Sequence, residues 1–365
     1  MSGSDESDTT NRLSHRQQVM FDNTVERFEE YLLTAGKTPR KDIGYATDTA
    51  RARKSRVLRI FYWIWEHGDV STELSTEQAD RVIEALDTDE LRRRNGDRYS
   101  ETSKRKMSNA LADWFAFKQA DWEPDISFRD ERATDNADPF TKSEVKKLWQ
   151  TSLTYKNIPK YNNLSPKDRD RWRRYLAQYL GKPKEEVEPA DWREVNRSWK
   201  VPSLVRSARA AGWRPAIVGR MRVHWYDPEK QAITIPGEHA VKNESRWKQE
   251  LPGEAVEAID RWLDQRENKS KYDDTDLMWL TRKGQPYSSS TLNALLRNLM
   301  DEAGIEPRGR NLVWYSFRHY VGTYVYDDCQ DLKMVAKILR QNSIASADRY
   351  VHPTVELQRN IVDGL

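Results

Sequence analysis

Arg214 follows VPSLVRSARAAG, a segment that reads as a helix ending at Gly212. Lys242 sits near the turn of HWYDPEKQAITIPGEHAVKNESRWKQELP, which alternates and turns like a β-hairpin. In WYSFRHYVGTY, Arg318 comes three residues after Tyr315, one helical turn on, so both side chains can face one point. Gln341 falls in ILRQNS, a loop after the helix DLKMVAKIL, and Tyr350 falls in SADRYVHP close to the end of the chain. These residue types suit chemistry on a phosphodiester. A phosphodiester in flight spreads negative charge over its non-bridging oxygens, and two guanidiniums can neutralise it with bidentate hydrogen bonds. Tyrosine is a weak nucleophile at its free pKa near 10, and it becomes competent when cations lower the cost of charge on its oxygen. A lysine whose pKa is drawn down by neighbouring arginines can serve as general acid for a leaving hydroxyl. Such a route needs no metal, and no Asp, Glu and His cluster in the sequence has metal-ligand spacing.

Taken in order, these residues resemble the tyrosine recombinases, also called the phage integrase family, and look most like integrases of archaeal mobile elements. The family order is Arg, hairpin Lys, His-x-x-Arg, His or Trp, then Tyr. Here it reads Arg214, Lys242, Tyr315-x-x-Arg318, Gln341, Tyr350. Gln341 follows Arg318 by 23 residues and Tyr350 follows Gln341 by 9, in keeping with the family's usual intervals. The FRH of YSFRH, the ILRQNS loop in place of the usual LGH turn, and RYVH in place of the Y-x-H tail add to the likeness. It spans both halves of the chain, with residues 139–365 carrying its specific part. The resemblance implies a site-specific DNA recombinase that cleaves and rejoins strands through a 3′-phosphotyrosine, integrating or excising a mobile element. It implies double-stranded DNA attachment sites as partner, a homotetramer on DNA from monomers or dimers, an accessory directionality factor, and no cofactor or metal.

Three departures stand out. Tyr315 occupies a position where the family usually has His, and Gln341 one where it has His or Trp, so neither can gain a proton between pH 5 and 8. Ile217 occupies a position that is commonly acidic. His319 and His352 also match family positions and read as packing or supporting groups, while His224 and His239 read as structural. These departures leave two other readings open: a DNA-binding protein that kept the fold without catalysis, and a type IB topoisomerase-like enzyme.

The elements that must position these residues follow from periodicity. Residues 1–12 read as a disordered tail. Residues 13–120 read as a helical, SAM-like core-binding domain, with Val25, Phe28, Tyr31 and Leu32 on one stripe and Met107, Leu111, Trp114 and Phe115 on another. Between them, Val57, Ile60, Phe61 and Ile64 share a stripe that Gly68 should end. Arg51, Arg53, Lys54, Arg56 and Arg59 form one basic group here, and Lys104, Arg105 and Lys106 extend a second one that begins at Arg92. Such runs also occur as solvated helix ends, but two in one small domain favour contact with a phosphate backbone. The polar stretch 121–138 reads as a linker. Residues 139–365 read as a catalytic domain of helices and a small antiparallel sheet, starting with a helix whose Thr141 and Glu144 have capping-box spacing. The fold class expected is therefore mainly α in two domains.

Composition bounds the rest. The 365 residues carry 61 basic and 58 acidic side chains, and 38 of the basic ones are Arg, the side chain suited to gripping phosphate. No apolar run approaches the ~20 residues that span a bilayer. Aromatic anchors (14 Trp, 16 Tyr, 8 Phe) argue for folded cores over disorder. Cys329 is the single cysteine, which excludes an intrachain disulfide or a thiolate zinc site. The acidic start MSGSDESDTT lacks the basic and apolar run of a secretion signal, so a cytoplasmic, nucleoid-associated protein is expected.

Overall fold

The computed structural model describes residues 13–68, 70–128, 137–240, 246–341, 343–347 and Tyr350. The expectations for the 1–12 segment, Lys242 and His352 lie outside these residues. The chain divides into two compact units, Met1–Thr134 and Asp135–Leu365.

The first unit is built on α1 (His15–Thr34), α2 (Thr47–Glu66), α3 (Thr76–Asp87) and α4 (Glu101–Phe117). Serines start three of them: Ser14 and Ser75 form capping boxes with Gln17 and Gln78, and Ser100 accepts from the Ser103 amide. Helix α2 ends as the sequence suggests, with Gly68 just past it at φ +100°. Its expected stripe is buried, and Trp63 and Trp65 join it. Rings interlock edge to face across the core: Phe28 with Trp114 at 5.0 Å, Phe61 with Trp114 at 5.2 Å, Phe21 with Trp65 at 5.1 Å. Trp114 touches two of these pairs, so its loss should cost about 3–5 kcal/mol.

The second unit is organised around α8 (Lys200–Ala211), which buries Val201, Leu204, Val205, Ala208 and Ala211. Packed on it are α5 (Lys142–Tyr155), α10 (Gly253–Arg266) and α12 (Ser316–Cys329). Helix α5 opens with the expected capping box, in which Thr141 Oγ1 accepts from the Glu144 amide and the Glu144 carboxylate accepts from the Thr141 amide. The short α9 (Pro215–Val218), α11 (Ser289–Glu302) and α13 (Leu332–Ile338) complete the shell around the core. The sheet has three antiparallel strands in sequential order, β1 (Tyr226–Asp227), β2 (Ala232–Ile235) and β3 (Trp247–Glu250). Ile235 faces Trp247 across the hairpin. Among the described residues no helix is long and apolar enough to cross a membrane.

The basic insert KDRDRWRRYLAQYLGKPK forms α6 (Pro166–Leu180), with Pro166 at its first turn and Gly181 ending it at φ +65°. With α7 (Pro189–Glu194) it encloses a small core of its own, around Ile158, Trp172, Leu176, Val187 and Trp192. Much of its charge is answered locally: Arg171 pairs with Asp273, Lys184 with Asp170, and Lys182 with Asp191.

Candidate active site

Arg318 organises the site. It lies two residues into α12 and is fully buried. Its Nη1 donates to the carbonyl of Gly212 at 3.0 Å and its Nη2 to the carbonyl of Leu339. These carbonyls close the C-terminal ends of α8 and α13, where unpaired C=O groups carry partial negative charge. One guanidinium thereby ties two helix ends together. Tyr315, at the N-cap position of α12, lies beside it and favours its charge. Among the described residues no carboxylate pairs with Arg318, and its Nε is buried without a hydrogen-bond partner. Burial first, then repulsion from Arg214, lowers its pKa below the usual arginine value, while Tyr315 and Tyr350 oppose that shift. A buried cation held this way costs several kcal/mol unless an anion arrives.

Arg214 reaches the same place from the other side of Gly212. The chain leaves α8 through Gly212 at φ +55°, and a Cβ there would come within 3.0 Å of Leu339 and 3.3 Å of the Arg318 Cα. Trp213 anchors the turn in the core, and Arg214 in extended conformation precedes the Pro215 that opens α9. Ile217 is buried among the core residues, so the position that is acidic in the family serves packing here.

Tyr350 is only 1 % exposed and packs with Val321, Val335, Leu339 and Ala347. Its hydroxyl accepts from Gln341 Nε2 at 3.5 Å. Gln341 Oε1 is buried with no hydrogen-bond partner among the described residues. His319 stands between two rings, 5.2 Å from Tyr315 and 5.4 Å from Tyr350. Arg214, Tyr315, Arg318, Gln341 and Tyr350 thus converge. His224 lies elsewhere, 2.8 Å from Asp276, and His239 packs on Trp225.

Two residues of the site escaped sequence reasoning. Gly322, one turn after Arg318, has Tyr350 so close that an added Cβ would lie 2.7 Å from the ring. Arg340 follows α13 at φ +48°, a left-handed position where helices favour glycine. Its guanidinium lies 5.1 Å over the Trp247 ring and donates to the Arg246 carbonyl at 3.5 Å. Burial and the charge of Arg214 lower its pKa. The available signal was an arginine in ILRQNS, at the C-terminal end of a helix where the family turn LGH has glycine.

In the first unit the basic residues separate into two sets. Arg53 pairs with Asp113 and stacks over Tyr45 at 4.2 Å, Lys54 pairs with Glu29, and Lys104 is buried between Asp89 at 2.8 Å and Glu101 at 3.2 Å. These three are engaged by carboxylates of their own domain. Arg56, Arg59 and Lys106 instead line an open groove with Arg94 and Tyr99, Arg59 also facing Glu66 at 3.8 Å and donating to the Arg92 carbonyl at 3.1 Å, while Arg51 is exposed and Arg105 half-buried.

Among the described residues no three His, Cys, Asp or Glu side chains converge as metal ligands. Residues 196–356 match the phage integrase family. No curated protein matches the sequence. Among solved structures, XerH site-specific recombinase bound to palindromic difH substrate is similar at 16% identity and TM-score 0.54, covering 97% of this chain and 91% of that one. The Tn1549 transposon integrase in complex with transposon right end DNA is 12% identical at TM-score 0.51, with 91% and 98% covered. A lambda integrase dimer bound to a core site is 12% identical at TM-score 0.50, with 92% and 96% covered. Residues 196–356 thus form a phage integrase domain, and the mainly helical fold that contains it is the tyrosine recombinase fold.

Proposed function

We propose that the protein integrates or excises a mobile element, of the archaeal kind its motifs resemble, with Tyr350 as nucleophile. The observation that carries this reading is the placement of the Tyr350 hydroxyl beside Gln341, next to a buried Arg318 that has two backbone carbonyls and no carboxylate. In the reaction, Tyr350 Oη attacks the phosphorus, its proton is released, and the bond to the 5′ oxygen breaks. Lys242 supplies the proton to that leaving oxygen. Attack by a 5′ hydroxyl of the partner strand then reverses the chemistry and frees the tyrosine. Arg214 and Arg318 clamp the non-bridging oxygens, and the Tyr315 hydroxyl and Gln341 amide donate to them. Arg340 adds a third guanidinium where position 341 supplies no imidazolium.

The first unit, with Arg51, Arg56, Arg59, Arg105 and Lys106, grips the DNA backbone at the attachment site, and Arg53, Lys54 and Lys104 shape that surface from within. Four protomers on two sites complete recombination, with an accessory factor setting direction, in a nucleoid-associated setting. The deciding experiment presents nicked duplex with the candidate attachment sequence and maps any denaturation-resistant adduct by peptide sequencing. Attachment at Tyr350 that Tyr350→Phe abolishes, with DNA binding intact, supports the reading. Attachment at Tyr315, Tyr320, Tyr324 or Tyr326 overturns the assignment, and binding without any adduct returns the protein to the non-catalytic class.

A further inference from the structure

The start of α8 lies about 18 Å along the helix axis from Gly212. There the second unit forms an open cavity of about 460 Å³ lined by Lys156, Lys200, Lys269, Lys271 and Arg282, of which Lys200 and Lys269 are half-buried and the other three exposed. Its single lining carboxylate, Asp168, accepts from Ser165 Oγ at 2.8 Å at the first turn of α6. Among the described residues none of the five cations makes an ion pair. Lys200 Nζ donates to the Leu280 carbonyl at 3.1 Å, and Lys271 Nζ to the Thr281 carbonyl at 3.0 Å. Lys269 Nζ lies 4.7 Å over the Trp172 ring. Backbone carbonyls and a ring face orient these ammonium groups without neutralising them.

The local helix chemistry points the same way. Lys200 is the first residue of α8, whose first turn holds no acidic side chain. A helix N-terminus carries partial positive charge and favours an anion, so a lysine there is opposed by the dipole. The chain has placed cations where its own electrostatics disfavour them, around a space large enough for a small oxyanion.

We propose that this cavity is a phosphate-binding site, separate from the catalytic centre and independent of the chemistry assigned to Tyr350. A phosphate group would accept from Lys200, Lys269 and Lys271 together and offset their mutual repulsion. Burial, reinforced by neighbouring lysines, lowers the pKa of Lys200 to about 8 and of Lys269 to about 7, which is the strain that an anion relieves. The phosphate can come from the DNA backbone or from a free phosphate-bearing compound, and the test separates them.

The full chain is unfolded thermally at pH 6.5 in inorganic phosphate and in sodium chloride of matched ionic strength. Phosphate should raise Tm above the chloride value, saturably, as mass action requires. In Lys269→Met/Lys271→Met the half-saturating phosphate concentration should rise about tenfold or more, while Tm in chloride holds or increases. Arg282→Ala, at the rim, should show a smaller loss and guards against misfolding of the double variant. Equal phosphate effects in all three proteins, or none above chloride, overturn the proposal. In parallel, the salt dependence of duplex binding is measured. A slope shallower by about 0.9 in the double variant identifies the DNA backbone as the source, and an unchanged slope beside a lost Tm effect identifies a free compound.

Discussion

The ring of Tyr350 rests against the backbone of Gly322, so that a methyl group at 322 would lie 2.7 Å from the nearest ring atoms. Gly322 is helical and follows Arg318 by four residues, on the same face of α12. Gly322→Ala should therefore leave the helix intact, since alanine favours helix over glycine by about 1 kcal/mol. It should displace Tyr350. The expected outcome is a folded protein with wild-type DNA affinity and an adduct that forms at least about tenfold more slowly, measured by circular dichroism, gel shift and denaturing electrophoresis. Adduct formation at the wild-type rate would show that the reactive tyrosine does not occupy this seat.

Arg340 bears on the charge missing from Gln341. Arginine at φ +48° costs about 1 kcal/mol relative to glycine. Arg340→Gly should thus hold or slightly raise stability in urea titrations while slowing single-turnover cleavage by about 10²-fold, the usual loss for one group at a developing charge. Arg340→Lys should recover part of the rate. Cleavage unaffected by either change would confine Arg340 to its stacking on Trp247.

In the first unit, charge alone does not predict function, because partners do. Arg56, Arg59 and Lys106 line the open groove, with only Arg59 facing a carboxylate, the exposed Glu66 at 3.8 Å, whereas Arg53 is paired with the shielded Asp113. Replacing the first three by Ala should make the log–log salt slope of DNA binding shallower by about 0.9 for each phosphate no longer neutralised, with Tm little changed. Arg53→Ala should do the reverse. It strands Asp113, whose pKa burial already lifts to about 6 against the pull of Arg53, and so should cost stability more than slope.

These contrasts show which features the sequence carries openly. Thr141 with Glu144, the stop at Gly68 and the turn at Gly212 are local, resting on neighbours within a few residues, and periodicity plus capping rules find them. The positions of Arg214, Arg318 and Tyr350 were legible as an ordered set. What holds them was not. Arg318 meets carbonyls 106 and 21 residues away, and Lys54 meets Glu29 across 25 residues, partners that only tertiary packing brings near. The seat at Gly322 was hidden for the same reason, because a helical glycine gives no sign of the ring pressed against it.

Gln341 offers a test of how the site works without an imidazole at this position. Its amide nitrogen points to the Tyr350 hydroxyl, and its buried oxygen has no partner among the described residues. Gln341→Leu removes the donor and should cost about 2–4 kcal/mol in the transition state. Gln341→His should keep or raise the rate and introduce an inflection near pH 6–7 that position 341 does not give in wild type. Rates across pH 5.5–9 on one substrate check both. Cleavage by Gln341→Leu as fast as wild type would remove the amide from the phosphate.

The lysine cavity makes the stability of the whole chain depend on pH. In the folded protein Lys269 has its pKa lowered to about 7 and Lys200 to about 8, against 10.5 for the unfolded chain. Between those values the unfolded state binds more protons than the folded one, so stability rises with pH. Below pH 7 both states are protonated at these sites, and the full cost of the buried charges is felt. Without phosphate, the urea midpoint should therefore climb from pH 7 to pH 9.5, by an amount equivalent to about 1–2 kcal/mol once solvent screening is allowed for. Lys200→Met/Lys269→Met should flatten that climb and be the more stable protein at pH 6.5. Added phosphate should also flatten it in wild type, by stabilising the protonated form at the low end. A wild-type curve that falls over this range, or a variant that climbs as steeply, would place these ammonium groups in water rather than against Trp172 and the Leu280 carbonyl.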